Sequence, residues 1–133
     1  MMAIGSEEFV AFTTYRRDGT SSSTPMWIVD LDHGKIGLIT PSHSLKVKRV
    51  TNDNRVQIQP CDRRGNVRDG TCPVNGTAIV VDGAEFEATH KLIKSKYSFF
   101  MNQVWSLGTF AARVVGKGDH RPNRAIVITL DPT

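Results

Sequence analysis

From Arg55 to Cys61 apolar and polar positions alternate, with Val56, Ile58 and Pro60 on one face and Arg55, Gln57, Gln59 and Cys61 on the other. That period of two marks a half-buried β-strand. Other strands announce themselves through composition and turns. Phe9 to Arg17 is rich in aromatic and β-favouring residues and ends at Asp18-Gly19, a dipeptide suited to a tight hairpin turn, so Ser21 to Leu31 is the returning strand. Asp32-His33-Gly34 is a second turn and leads into a third strand, Lys35 to Thr40. Val74 to Asp82 and the strongly β-branched Arg124 to Leu130 complete the strands.

Helical signals interrupt this pattern. After Pro41, either Ser42 or Ser44 can cap a helix that runs to about Thr51 and stops at Asn52-Asp53-Asn54. Asp82 and Glu85 have capping-box spacing for a helix carrying Phe86, Leu92 and Ile93. Ser98 to Leu107 places Phe99, Phe100, Val104 and Leu107 three to four residues apart, and Gly116 to Asn123 reads as loop. Mostly antiparallel strands, a short helix after the third and a helical insertion before the last predict a mainly β fold: one small barrel domain over residues 1–133.

Composition narrows the function classes. No stretch approaches the ~20 apolar residues that span a bilayer, and no secretory leader pattern opens the chain, so a cytoplasmic protein with no membrane partner is expected. Cys61 and Cys72 lack a CxxC spacing and a nearby histidine pair; free thiols are expected and no metal. Seven basic residues (Lys46, Lys48, Arg49, Arg55, Arg63, Arg64, Arg68) stand against Asp53 and Asp62 in one segment, whereas the whole chain nets only +4. The excess is local and favours an anion site over a general polyanion coat. These cations lack interleaved aromatics on one strand face, which argues against single-stranded nucleic acid as a partner. The four histidines assemble with no nucleophile and carboxylate into a triad, so the catalytic residues are not identified.

The run from Thr13 to Gly65 resembles the flavin-binding split β-barrel group related to pyridoxamine 5'-phosphate oxidase, and within it the branch that uses the deazaflavin coenzyme F420. The matching elements are Asp18-Gly19, Thr24-Pro25-Met26-Trp27, Ser44-Leu45-Lys46-Val47-Lys48-Arg49, Asn54-Arg55-Val56, and Pro60-Cys61-Asp62 with Gly65. The resemblance implies an FMN-binding-like split barrel whose cofactor phosphate lies at Ser44 and Lys46, with Lys48 or Arg49 nearby. A helix start, a hydroxyl and a lysine suit an anion on physical grounds as well. It further implies that the ring lies along Pro25, Met26 and Trp27 and along Ile39 to Thr40. Trp27 either packs near the cofactor or fills the barrel wall. Gln59 contacts cofactor or is simply solvated, and Arg63, Arg64 and Arg68 line a groove for an acidic tail or are solvated hairpin residues.

The function implied is an oxidoreductase transferring hydride between coenzyme F420 and a small electron-poor organic substrate. Two alternatives remain open: an FMN-dependent enzyme of the same fold, and a non-catalytic carrier of F420 or flavin. The resemblance also implies a homodimer with cofactor sites at its interface, and the segment from Tyr97 to Leu107 carries more apolar surface than one helix face hides.

Overall fold

The computed structural model describes residues 4–97 and 121–131. In chain order the elements are β1 (Phe9–Tyr15), β2 (Ser21–Trp27), β3 (Val29–Asp30), β4 (Lys35–Thr40), α1 (Leu45–Asn52), β5 (Arg55–Cys61), β6 (Val74–Val81), α2 (Gly83–Lys96) and β7 (Arg124–Leu130), with short 3-10 turns at Ile4–Ser6 and Asp32–Gly34. All seven strands belong to one sheet in the order β2-β1-β5-β6-β7-β4-β3, every neighbour antiparallel.

The two edge strands, β2 and β3, are consecutive in the chain and separated only by the fully buried Ile28. A sheet whose opposite edges are joined by one residue must curl until they meet, so this topology is a barrel. Closure is incomplete. β2 is laddered only to β1, and β3 meets β4 only at Val29↔Gly37 and Asp30↔Ile36, so the stretch of β4 from Leu38 to Thr40 has a ladder only on its β7 side. The barrel is split between β2 and the far part of β4. Pro25 is tolerated on β2 because an edge strand leaves one side unpaired.

Inward positions of the strands, Val10, Phe12, Ile36, Leu38, Val56, Ile58, Ala78, Ile126 and Ile128, form the core together with Ile28 and with Val50 of α1. Each fully buried side chain of Leu, Ile or Phe size contributes about 1.5–3 kcal/mol. Helix α2 packs on β3, β4 and β7 from outside. Its buried stripe is Phe86, Thr89, Ile93 and Tyr97. Gly37 permits the close approach: a Cβ there would lie 2.9 Å from Thr89 Cγ2 and 3.0 Å from Leu31.

Several expectations shift in detail. The strand expected from Ser21 to Leu31 breaks at Ile28, where the chain passes from one edge of the sheet to the other, so the helix after the expected third strand follows β4. Asp18-Gly19 sits within a five-residue connection between Tyr15 and Ser21, held by the Asp18 carboxylate accepting from Thr20 N–H (3.0 Å) and Thr20 hydroxyl (2.7 Å). Asp82 begins α2 without a side-chain cap bond. Leu92 is exposed, because it lies one residue off the buried stripe and so about 100° around the helix. Cys61 is buried although it shares a face with Gln57 and Gln59, since Val67 bridges across it. The expected helix from Ser98 to Leu107 lies outside the described residues.

Candidate anion and cofactor site

Thr40 ends β4 with its side chain buried, and its hydroxyl donates to Ser44 Oγ at 3.0 Å. Ser44 Oγ also accepts from the Val47 N–H at 3.3 Å, which makes Ser44 the N-cap of α1; the backbone N–H of Ser42 is taken instead by Asn123 Oδ1 at 2.7 Å. With both acceptor positions of its hydroxyl filled, Ser44 has its own proton left to donate outward. The N–H groups of the first helical residues, Leu45 and Lys46, have no intrahelical acceptor. Two kinds of donor, hydroxyl and backbone N–H, therefore meet at one helix start.

Lys46 adds charge there. It is half-buried and has no hydrogen-bond or ion-pair partner among the described residues. Burial lowers the pKa of its ammonium, and the nearby Arg49 lowers it further. A desolvated cation beside a second cation is what a bound anion relieves.

On the adjoining face of α1 an open groove of about 350 Å³ lies between the β1–β2 connection and the helix, lined by Arg16, Arg17, Leu45, Lys48, Arg49 and Asn52. Four cations and no carboxylate line it. Arg16 is oriented by hydrogen bonds from its guanidinium to Thr20 Oγ1 (3.1 Å) and the Ser21 carbonyl (2.9 Å). The other arginines of the basic segment are differently placed. Arg55 grips Asp53 through two bonds of 3.1 and 2.8 Å, which hold the Asp53 carboxyl down at about 2, and Arg68 pairs with Glu7 at 3.4 Å.

The remaining expected site residues form a second group. Pro25, Met26 and Trp27 lie on β2. Met26 packs against the barrel core, so only its backbone faces away from it. Trp27 stacks on Tyr97 with centroids 4.4 Å apart and planes 6° from parallel, so one ring face is already covered. Gln59 donates to the carbonyl (3.0 Å) and hydroxyl (3.1 Å) of Thr71 in the β5–β6 connection. Arg64 is exposed in the same connection, where the Asp62 carboxylate accepts from its N–H at 2.8 Å. This connection leans on β2: a Cβ at Gly65 would lie 3.5 Å from Pro25.

Within this second group, Arg64 lies away from the helix start. α1 leads into the start of β5 and the arginine connection leaves its end, so the seven residues of β5, at about 3.3 Å each, separate Lys46 from Arg64 within one chain. The structure thus brings Thr40 and Ser44 together at the start of α1, with Lys46 in its first turn and Lys48 and Arg49 on its groove face; Trp27 shares a buried cluster with Ile39 across the split, and Gln59 and Arg64 lie at the other end of β5. Arg16 and Arg17 were missed from sequence. They precede a turn and read as its solvated flank; only the fold puts them opposite α1.

A barrel split along one edge, with a donor-rich helix start beside the split, is the class of protein this fold defines. The chain belongs to the pyridoxamine 5'-phosphate oxidase family, whose model matches residues 2–129. Its fold is shared by an F420 reductase (17% identity, 98% of this chain and 90% of that one, TM-score 0.57). It is likewise shared by a pyridoxamine 5'-phosphate oxidase-related, FMN-binding protein from Nostoc punctiforme (13%, 97% and 72%, TM-score 0.53) and by HutZ, the heme storage protein from Vibrio cholerae (9%, 96% and 82%, TM-score 0.59). Comparison with curated proteins finds no match. Among the described residues no helix is long and apolar enough to cross a membrane, and no group of three or more His, Cys, Asp or Glu could hold a metal.

Proposed function

We propose that this chain is an oxidoreductase that transfers hydride between the deazaflavin coenzyme F420 and a small electron-poor organic substrate. The observation that carries the reading is Lys46: a half-buried ammonium without a counter-charge among the described residues, two residues from a serine with a proton to donate, on a helix whose neighbouring face lines a carboxylate-free basic groove. These residues suit a ligand with a phosphate followed by carboxylates.

In this reading Ser44 and Lys46 hold the phosphate, while Thr40 keeps the Ser44 hydroxyl turned outward. Arg16, Arg17, Lys48 and Arg49 take the acidic tail. The strand edges at Pro25–Trp27 and Ile39–Thr40 flank the ring and exclude water from one side. When bound, the coenzyme supplies the hydride-bearing carbon, and the protein supplies position and electrostatics. A donor side chain or water supplies the substrate's proton.

The chain acts as a homodimer in this account. Lys46 lies beyond one end of β5 and Arg64 beyond the other, so in a two-fold dimer the Arg64 connection of one protomer serves the site whose phosphate seat belongs to its partner. A second reading, an FMN-dependent enzyme, uses the same seat and leaves the four-cation groove without a role; a non-catalytic carrier uses both.

Fluorescence and absorbance titrations with coenzyme F420 and with FMN, at low and high salt, test the proposal. F420 is expected to bind more tightly than FMN, with an affinity that falls as salt screens the groove. Tight, salt-insensitive FMN binding without F420 binding overturns it. F420 binding without reduction of any unsaturated carbonyl or quinone probe moves the protein to the carrier reading.

A further inference from the structure

Two consecutive side chains at the end of α2 tie that helix to two other parts of the chain, residues 5–8 and the Ile28 corner. The Lys96 ammonium donates to the carbonyls of Gly5 (2.8 Å), Glu7 (2.7 Å) and Ile28 (2.8 Å). Each of its three protons therefore has an acceptor. Next to it, the buried Tyr97 hydroxyl accepts from the Ile28 N–H at 3.2 Å and lies 2.7 Å from the Glu8 carbonyl and 2.9 Å from the Ile28 carbonyl. Glu7 carries the connection further, through its carboxylate to Arg68 of the β5–β6 connection. Gly5 is buried and its place is restricted: a side chain there would run into the Asp30 carboxylate.

This is an unusual use of a lysine. A lysine in the last turn of a helix ordinarily reaches water or the helix's own carbonyls. Lys96 instead takes the carbonyls of another region, and burial lowers the pKa of its ammonium while Asp30, Glu7 and Glu8 oppose that. The residue it holds, Ile28, is the corner at which the sheet passes from one edge to the other. Trp27, adjoining that corner, lies stacked on the Tyr97 ring.

We propose that Lys96 and Tyr97 are positioning residues: a latch that fixes the β2–β3 corner and, through Trp27, sets the free edge of β2 that borders the split. Among the described residues no other side chain bonds to the backbone of this corner, and β3 contributes only two ladder positions. Holding it from outside the barrel leaves the split itself open. The consequence for ligand affinity rests on the function proposed above; the mechanical part does not.

The Ile28 amide reports on the latch directly, because Tyr97 is its acceptor. In the full chain, Tyr97→Phe keeps the ring stack and removes the hydroxyl, and Lys96→Met keeps the stem and removes the charge. Hydrogen exchange at Ile28 is expected to accelerate at least about tenfold in both, while Ala78, Ile126 and Ile128 in β6 and β7 keep their protection. In Lys96→Ala, n-propylammonium is expected to restore protection at Ile28 and n-propanol is not. Unchanged exchange at Ile28, equal acceleration across all strands, or equal rescue by the alcohol overturns the latch. A second arm measures F420 and FMN affinity, expected to fall about tenfold in Lys96→Met. If Ile28 loosens and the affinity of a ligand-binding wild type is unaltered, the positioning role is wrong. If the wild type binds neither coenzyme, the function proposal fails while the exchange data still decide the latch.

Discussion

One sheet supplies two outer surfaces that the chain treats differently. On the β3–β4–β7 side, α2 lays Phe86, Thr89, Ile93 and Tyr97 against the strands, and Val29, Ile93 and Tyr97 form a second buried cluster with Trp27, Leu31 and Ile39. On the β2–β1–β5–β6 side, the outward row opposite these strands is polar: Ser23 and Thr13 hydroxyls meet at 3.0 Å, and Gln57 donates to Asn75 at 2.7 Å. The comparison teaches that stability and recognition are divided between the two halves. The covered half anchors the barrel's corner, and the other half carries side chains satisfied by neighbours on the same face, ready to meet solvent or a second protomer.

The largest expected difference lies in stability. Ile93→Ala should cost about 2–5 kcal/mol in denaturant unfolding, because the 1% exposed side chain leaves a cavity between α2 and the sheet. Gln57→Ala on the other half should cost less than about 1 kcal/mol, since its bond to Asn75 is exposed. Equal losses would erase the distinction between the halves.

Alkaline pH sharpens the same contrast. Burial pushes the Tyr97 hydroxyl up to about 12 from an ordinary 10, so the folded state retains a proton that the unfolded chain releases. Its contribution is full below about pH 10 and is lost as pH rises toward 12. Urea midpoints should fall across that window in the wild type and fall less in Tyr97→Phe; parallel curves would remove Tyr97 as the cause.

The smallest effect is expected at the hydroxyl pair on the outer face. Ser23→Ala should change stability by no more than about 0.5 kcal/mol, yet in the proposed dimer it should shift the monomer–dimer equilibrium measured by sedimentation. A strictly monomeric wild type at micromolar concentration would show instead that this half faces water.

Much of this was legible in the sequence where local chemistry decides the outcome. β4, β5 and β7 begin and end where composition, alternation and turn residues put them, and Ser44 was one of the two caps the sequence allowed. Features that depend on distant contacts were not legible. Met26 to Val29 reads as one continuous strand because nothing local records that Ile28 turns a corner. Arg16 and Arg17 carry no sign that α1 will lie opposite them. Lys96 looks like a solvated helix lysine, since the carbonyls it reaches come from residues up to 91 positions away.

The central claim is that the α1 start is an anion seat in which Lys46 waits for a counter-charge. Titrating Lys46→Ala and wild type with coenzyme F420, alongside their unfolding curves, tests it most directly. A charge-assisted contact of roughly 1.5–3 kcal/mol predicts affinity weakened about ten- to a hundredfold. Stability should hold or rise slightly, because a desolvated, unpartnered cation has been removed. Wild-type affinity in the variant, or a loss of stability in place of a loss of affinity, would contradict the account.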